Sequence, residues 1–90
     1  MNNNVIFAPR GLKEYIYWQT EDKRTLKKIN NLIIDTVRNG KTGIGNPKPL
    51  KNDLTGCWSR EIDDKNRFIY RIKDNGDIEI AQCKGHYDDK

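Results

Sequence analysis

Ninety residues can enclose one hydrophobic core, so the chain has room for a single domain and none for a catalytic domain with a separate binding domain. Apolar side chains make up 34% and charged ones 33%, a lean but workable supply for a patterned core. No stretch approaches the ~18 consecutive apolar residues of a membrane-crossing helix, and the start Met1-Asn2-Asn3-Asn4 lacks the basic and apolar run of an export signal, so a cytoplasmic protein is expected.

The formal charge of +4 is unevenly spread. Residues 1–60 carry 11 basic and 5 acidic side chains, and residues 61–90 carry 6 basic and 8 acidic ones. A basic excess attracts phosphate backbones, acidic proteins or anionic membranes. No helical stretch combines a strongly apolar face with a basic one beyond ordinary core packing, which makes the membrane the weakest of the three. Charge alone does not separate nucleic acid from an acidic partner protein.

In chain order, Val5-Ile6-Phe7-Ala8 reads as a first strand. Pro9 suits the first turn of a helix, where its missing N–H costs nothing, and Leu12, Tyr15, Ile16 and Gln19 recur at helical spacing over residues 10–19. Thr20-Glu21-Asp22 supplies a break and an N-cap. Leu26, Ile29, Ile33 and Val37, with Leu32 and Thr36 alongside, form the stripe of a second helix from about residue 22 to 38, stopped by Asn39-Gly40. Lys23, Arg24, Lys27 and Lys28 lie outside that stripe, either as a solvated face or as an RNA contact; the pattern is compatible with both. Tyr15, Tyr17 and Trp18 exceed what one helix face can bury, so one is expected at an interface.

Lys41-Thr42-Gly43-Ile44-Gly45-Asn46-Pro47 lacks the phosphate-cradling pattern GxxxxGK[ST] and reads as a mobile connector. From Lys48 onward the chain reads as an antiparallel meander. Its strands are Lys48 to Lys51, Cys57 to Ile62, Arg67 to Ile72 and Asp77 to Lys84, separated by turn-forming residues. A strand, two helices and four strands predict an α+β domain, a small antiparallel sheet with both N-terminal helices packed on one face and the other face partly open. One domain spanning residues 1–90 is expected, with residues 1–4 and 88–90 as loose ends.

Cys57 and Cys83 sit in strand-like stretches and form neither CxxC nor a cluster with His, so they read as reduced packing thiols. His86 is the only histidine, placed where the last strand runs out. A lone histidine serves structure more often than catalysis, but beside it Tyr87 can stack on a base, and Lys51, Arg60, Arg67 and Arg71 offer cations that suit phosphates, surface solubility or ion pairs.

The motif set Tyr15-Ile16-Tyr17-Trp18-Gln19, Asp22-Lys23-Arg24, Lys27-Lys28-Ile29-Asn30, Gly43-Ile44-Gly45-Asn46-Pro47, Pro49-Leu50-Lys51, Leu54-Thr55-Gly56, Trp58-Ser59-Arg60, Asn66-Arg67-Phe68-Ile69-Tyr70 and His86-Tyr87 resembles the YoeB-type branch of the RelE toxin superfamily, from about Val5 to Tyr87. The resemblance implies the toxin half of a bacterial toxin–antitoxin pair: an endoribonuclease that enters the ribosomal A site and cuts mRNA there, inhibiting translation without metal or other cofactor. A cognate antitoxin and self-association into a dimer are implied as well. By the match, His86 would be the general acid, Arg67 the phosphate stabiliser, Tyr87 a stacking or orienting group and Lys51 an RNA contact. Arg60, Lys23, Lys27 and Lys28 are further candidate RNA contacts.

Two departures bear on the chemistry. The family's Pro-Glu-Pro-Leu-Lys is here Pro47-Lys48-Pro49-Leu50-Lys51, replacing the usual candidate for the general base with a lysine, ordinarily protonated at neutral pH. The family's Ser-Arg-Arg-Ile is here Ser59-Arg60-Glu61-Ile62. A turn centred on Leu54 would pair position 48 with 60 or 61, where Cβ atoms of cross-strand partners lie about 4.5–5.5 Å apart. Glu61 then restores a carboxylate, as base or as partner of Lys48. Otherwise the exchange preserves only a salt bridge, and the chain is a weakened toxin homologue that serves as an antitoxin- or ribosome-binding module. The tail Asp88-Asp89-Lys90 extends past the usual His-Tyr end of the family.

Overall fold

The structure, a computed structural model, describes residues 3–86. Met1, Asn2 and the tail Asp88-Asp89-Lys90 lie outside the described residues, as does Tyr87. Asn4, expected to be loose, is tied down: its N–H donates to Asp77 Oδ1 at 2.8 Å and its carbonyl accepts from Ile78 N at 2.9 Å.

Strand β1 (Val5–Phe7) leads into helix α1 (Pro9–Glu21), with proline in its first turn as expected. Asp22 is the only residue between α1 and α2 (Lys23–Asn39). It leaves the helical conformation (φ −161°) and turns its carboxylate onto the N–H groups of Arg24 and Thr25, satisfying two of the donors that a helix start leaves orphaned. The hydrogen bond from the Thr25 hydroxyl, with those from the backbone, holds the Asp22 carboxyl below its ordinary range. Gly40 ends α2 with φ 66°, its N–H bonded to Thr36 O at 2.8 Å. The buried face of α2 is Ile29, Leu32 and Thr36, and Val37 remains 44% exposed. Leu26 and Ile33 pack partly buried against the same core, so the expected stripe holds except at Val37, which stays outside beside Ile34.

Five strands form one sheet in the order β1-β5-β4-β3-β2, with β2 at Lys48–Pro49, β3 at Trp58–Glu61, β4 at Arg67–Ile72 and β5 at Ile78–Gln82. The last four are antiparallel, as predicted. β1 joins β5 in parallel, so the sheet is mixed. Parallel pairing needs a long connection between its two strands, and here both helices and three strands intervene.

Period-two alternation sends Trp58, Arg60, Phe68, Tyr70, Ile72, Ile78 and Ile80 towards the helices. There they meet Trp18, Ile29 and Leu32 in the main core. The approach of α1 to β5 is close enough that a Cβ on Gly11 would lie 2.4 Å from Ile80 O. The opposite face carries Lys48, Ser59, Glu61, Arg67, Ile69 and Arg71. One end of it is covered by a second small cluster, in which Leu50, Cys57 and Ile69 pack with Leu54 and Ala81. The other end, around Glu61 and Arg67, is the open part.

Candidate active site

β3 and β4 place Glu61 directly across from Arg67. The turn between them is organised by Asp63, whose Oδ1 accepts from the N–H groups of Lys65 and Asn66 at 2.8 Å each. Burial raises the pKa of that carboxyl, but the bonds from Lys65 and Asn66 outweigh it and leave the group below its ordinary range. Arg67 Nη1 donates to the carbonyls of Asp63 and Asn66, which bends the guanidinium over the turn.

Position 86 is fixed by anchors on both sides of the strand end. Trp18 Nε1 donates to Cys83 O at 3.0 Å, and Cys83 N donates to Glu14 Oε1 at 2.7 Å, so α1 grips the chain just beyond β5. Two residues on, Arg67 N donates to Gly85 O at 2.9 Å and Gly85 N donates to Asn66 Oδ1 at 2.8 Å. The backbone of His86 is therefore held at the end of the sheet where β4 begins, one residue past a direct bond to Arg67. Glu14 lies in no sequence motif, and Trp18 and Asn66 enter the motif set without a part in holding position 86. Their spacing along the chain carries no signal, because each acts on a partner 19 to 69 positions away.

Lys48 pairs with Ser59, not with residue 60 or 61. The connection is not a symmetric turn: it contains a short 3-10 helix, Asn52–Leu54, and left-handed backbone at Asn52 (φ 58°) and Gly56 (φ 96°), which shifts the register. Lys48 and Glu61 still share a face as diagonal neighbours. They make no ion pair within 4.0 Å, the ion pairs among the described residues being Arg10–Glu14 and Arg60–Asp35. The Glu61 carboxylate instead accepts from Asn46 Nδ2 at 3.4 Å. Lys51 stands exposed beside the 3-10 turn, about 17 Å along the sheet from the level of Glu61 at ~3.3 Å per residue.

Arg60 is not available to RNA. Its side chain is fully buried on the helix-facing side, donating to Asp35 Oδ2 (2.6 Å), Gly40 O (2.8 Å), Thr42 O (2.8 Å), Ile44 O (3.0 Å) and Tyr70 Oη (3.2 Å). Alternation decides this: Arg60 pairs with Phe68, and both point to the core. The Arg60 hydrogen bond holds the Asp35 carboxyl below its ordinary range, and burial pushes the Tyr70 phenol up, keeping it a donor to Gly40 O at 2.8 Å. These contacts tie down residues 41–47, read from sequence as a mobile connector, since two of the bonded carbonyls, Thr42 and Ile44, lie within it and the third, Gly40, immediately precedes it.

Lys23, Lys27 and Lys28 are exposed on α2, across the sheet from Arg67. Two buried polar atoms on the open face, Ser59 Oγ and Arg67 Nε, have no hydrogen-bond partner among the described residues. Cys57 and Cys83 are free and buried, and burial pushes the Cys83 thiol up to about 12. No three His, Cys, Asp or Glu side chains are grouped as a metal-binding set, and no helix is long and apolar enough to cross a membrane, both among the described residues.

Residues 7–87 match the model of the YoeB-like toxin of bacterial type II toxin–antitoxin systems. The chain belongs to this family. Toxin YoeB of Escherichia coli K12 is 45% identical over 92% of this chain and 98% of its own length. The YoeB/ParE toxin from Agrobacterium tumefaciens superposes with a TM-score of 0.90 at 38% identity, covering 93% of this chain and 99% of that one. A YoeB dimer from Staphylococcus aureus gives 0.87 at 43% identity over 97% of this chain and 100% of that one, and a YoeB–YefM complex from Staphylococcus aureus gives 0.85 at 43% identity over 97% and 100%. The family's two-helix, five-strand architecture is thus shared, and the chain is a toxin of a toxin–antitoxin pair.

Proposed function

We propose that this toxin is a metal-independent endoribonuclease that cuts mRNA in the ribosomal A site. The observation that carries the reading is the junction of Arg67 N with Gly85 O at 2.9 Å, which brings the His86 segment to the strand position facing Glu61. The backbone at His86 thereby lies at the end of the sheet where Glu61 pairs with Arg67, which supports a shared site for an acid, a base and a cation.

In the proposed reaction Glu61 takes the proton of a ribose 2′-hydroxyl, and the 2′-oxygen attacks the adjacent phosphorus. Arg67 steadies the charge that builds on the phosphoryl oxygens. His86 gives its proton to the departing 5′-oxygen, leaving a 2′,3′-cyclic phosphate and a 5′-hydroxyl. Each proton transfer is worth about 10²–10⁴-fold, and loss of one stabilising donor about 10²–10³-fold. Tyr87, by the family match, stacks on or orients the nucleotide. Lys48, on the face of Glu61, and Lys51, at the far end of the hairpin, offer cations for neighbouring phosphates. Lys23, Lys27 and Lys28, across the sheet, meet ribosomal RNA rather than the scissile phosphate.

An acidic antitoxin fits the basic excess of residues 1–60, and self-association fits the dimeric relative. Both placements go with a cytoplasmic protein, where ribosomes are. A second reading is favoured by Lys48 at the family's glutamate position: a toxin homologue that binds antitoxin and ribosome but cuts slowly. In vitro translation of a mapped mRNA separates the two. The nuclease reading expects cuts at A-site codons, none on naked RNA, and loss of cutting in His86→Gln and Arg67→Gln. An uncut message with the parent chain at saturating concentration supports the second.

A further inference from the structure

Glu61 is held by a device that the charge pattern does not disclose. The segment before Lys48 is docked onto β3 through residue 61 itself: Glu61 N donates to Gly45 O at 2.7 Å, and Asn46 Nδ2 donates to Glu61 Oε2 at 3.4 Å. Gly45 has φ 80°, and a Cβ there would lie 2.9 Å from Leu32 Cδ2 and 3.1 Å from Arg60 Cβ, so the docking is glycine-specific. On its other flank the loop is fastened by the Arg60 guanidinium through Ile44 O, Thr42 O and Gly40 O. Asn46 is left-handed at φ 54° although it is not glycine, and it precedes Pro47, whose ring narrows the conformations open to it. Asparagine tolerates this region better than most residues, and an ordered residue held there is a recurrent mark of functional placement.

We infer that Asn46 is a positioning residue that orients the Glu61 carboxylate towards the substrate; this rests on the reading of Glu61 as the general base. A neutral amide donor engages one carboxylate oxygen, Oε2, and leaves Oε1 for the 2′-hydroxyl proton. It does so without the opposing charge that a lysine would bring, and Lys48, diagonal on the same face, makes no ion pair with Glu61 within 4.0 Å. The charge exchange between positions 48 and 61 therefore does not end in a salt bridge. It leaves Glu61 positioned by the loop and Lys48 facing outwards for phosphate.

The test is single-turnover cleavage on programmed ribosomes by the parent chain, Asn46→Gly, Asn46→Asp, Glu61→Gln and the double variant Asn46→Gly/Glu61→Gln. Glycine suits the left-handed backbone, so Asn46→Gly keeps the parent's urea midpoint and its half-saturating toxin concentration, while the saturating rate falls about fivefold to tenfold, the equivalent of one neutral hydrogen bond. Asn46→Asp, which sets a second carboxylate against Glu61, falls further. In the Glu61→Gln background Asn46→Gly causes no additional loss. If Glu61→Gln is slow but Asn46→Gly cuts at the parent rate, or if Asn46→Gly slows the Glu61→Gln chain by the same factor, the positioning role is overturned and the base stands. If Glu61→Gln itself cuts at the parent rate, the base assignment fails and takes the positioning role with it.

Discussion

Arg60→Met tests the claim that a buried guanidinium, and not local chain stiffness, holds the glycine-rich loop. Methionine keeps much of the volume but donates nothing to Asp35 Oδ2, Gly40 O, Thr42 O, Ile44 O or Tyr70 Oη, five acceptors now within 2.6 to 3.2 Å of the guanidinium. Breaking a buried charged pair costs about 3–5 kcal/mol, and because Asp35 keeps part of its surface in water the lower end, about 3 kcal/mol, applies here. A domain of this size has roughly 5–13 kcal/mol in total at about 0.05–0.15 kcal/mol per residue. The variant is therefore expected to lose roughly a quarter or more of its stability, and its Tm to fall by roughly 12 °C at about 4 °C per kcal/mol. Urea unfolding followed by the fluorescence of buried Trp18 measures the loss. Native-state hydrogen exchange locates it: Ile44 N, bonded to Asp35 Oδ2, and Glu61 N, bonded to Gly45 O, should lose protection ahead of the β4–β5 ladder. A variant within 1 kcal/mol of the parent by the same urea titration, with both amides protected as before, would refute the account.

The remaining expectations concern the groups that fix the scaffold. Gly11→Ala should destabilise by about 1–3 kcal/mol or prevent folding, because the added Cβ meets the backbone oxygen of Ile80 at 2.4 Å and backbone cannot rotate away; thermal unfolding reads this directly. The Asp35 carboxyl has a folded pKa lowered by Arg60, so the stability it contributes is complete above the unfolded value of 3.8 and fades as pH falls through the folded one. The difference in Tm between parent and Asp35→Asn should accordingly be constant near neutrality and shrink below about pH 4. Cys83, raised by burial to about 12, should resist iodoacetamide at pH 8 until urea unfolds the chain. Its raised pKa contributes stability in full below the unfolded value of 9.0, lost as pH rises towards about 12.

The proposed chemical roles at the site rest on residue types and family motifs. Arg67 and His86 have the functional groups that RNA cleavage wants, yet nothing in their spacing says that Arg67 N would bond to Gly85 O. Arg60, a candidate RNA contact by residue type alone, is turned inwards by its register with Phe68 and takes the ion pair that its residue type equally allowed.

Local signals settled what depends on near neighbours. Pro9 and Asp22 mark helix starts, Asn39-Gly40 a helix end, and Arg67-Phe68-Ile69-Tyr70-Arg71-Ile72 a strand, because capping, backbone propensity and side-chain period act within a few residues. Only the tertiary structure decided the parallel entry of β1, the Lys48–Ser59 register, the Cys83 grip by α1 and the fate of Arg60. Each of these is a choice of partner 11 to 73 positions away, and burial against that partner, not the residue's own preference, sets its energy.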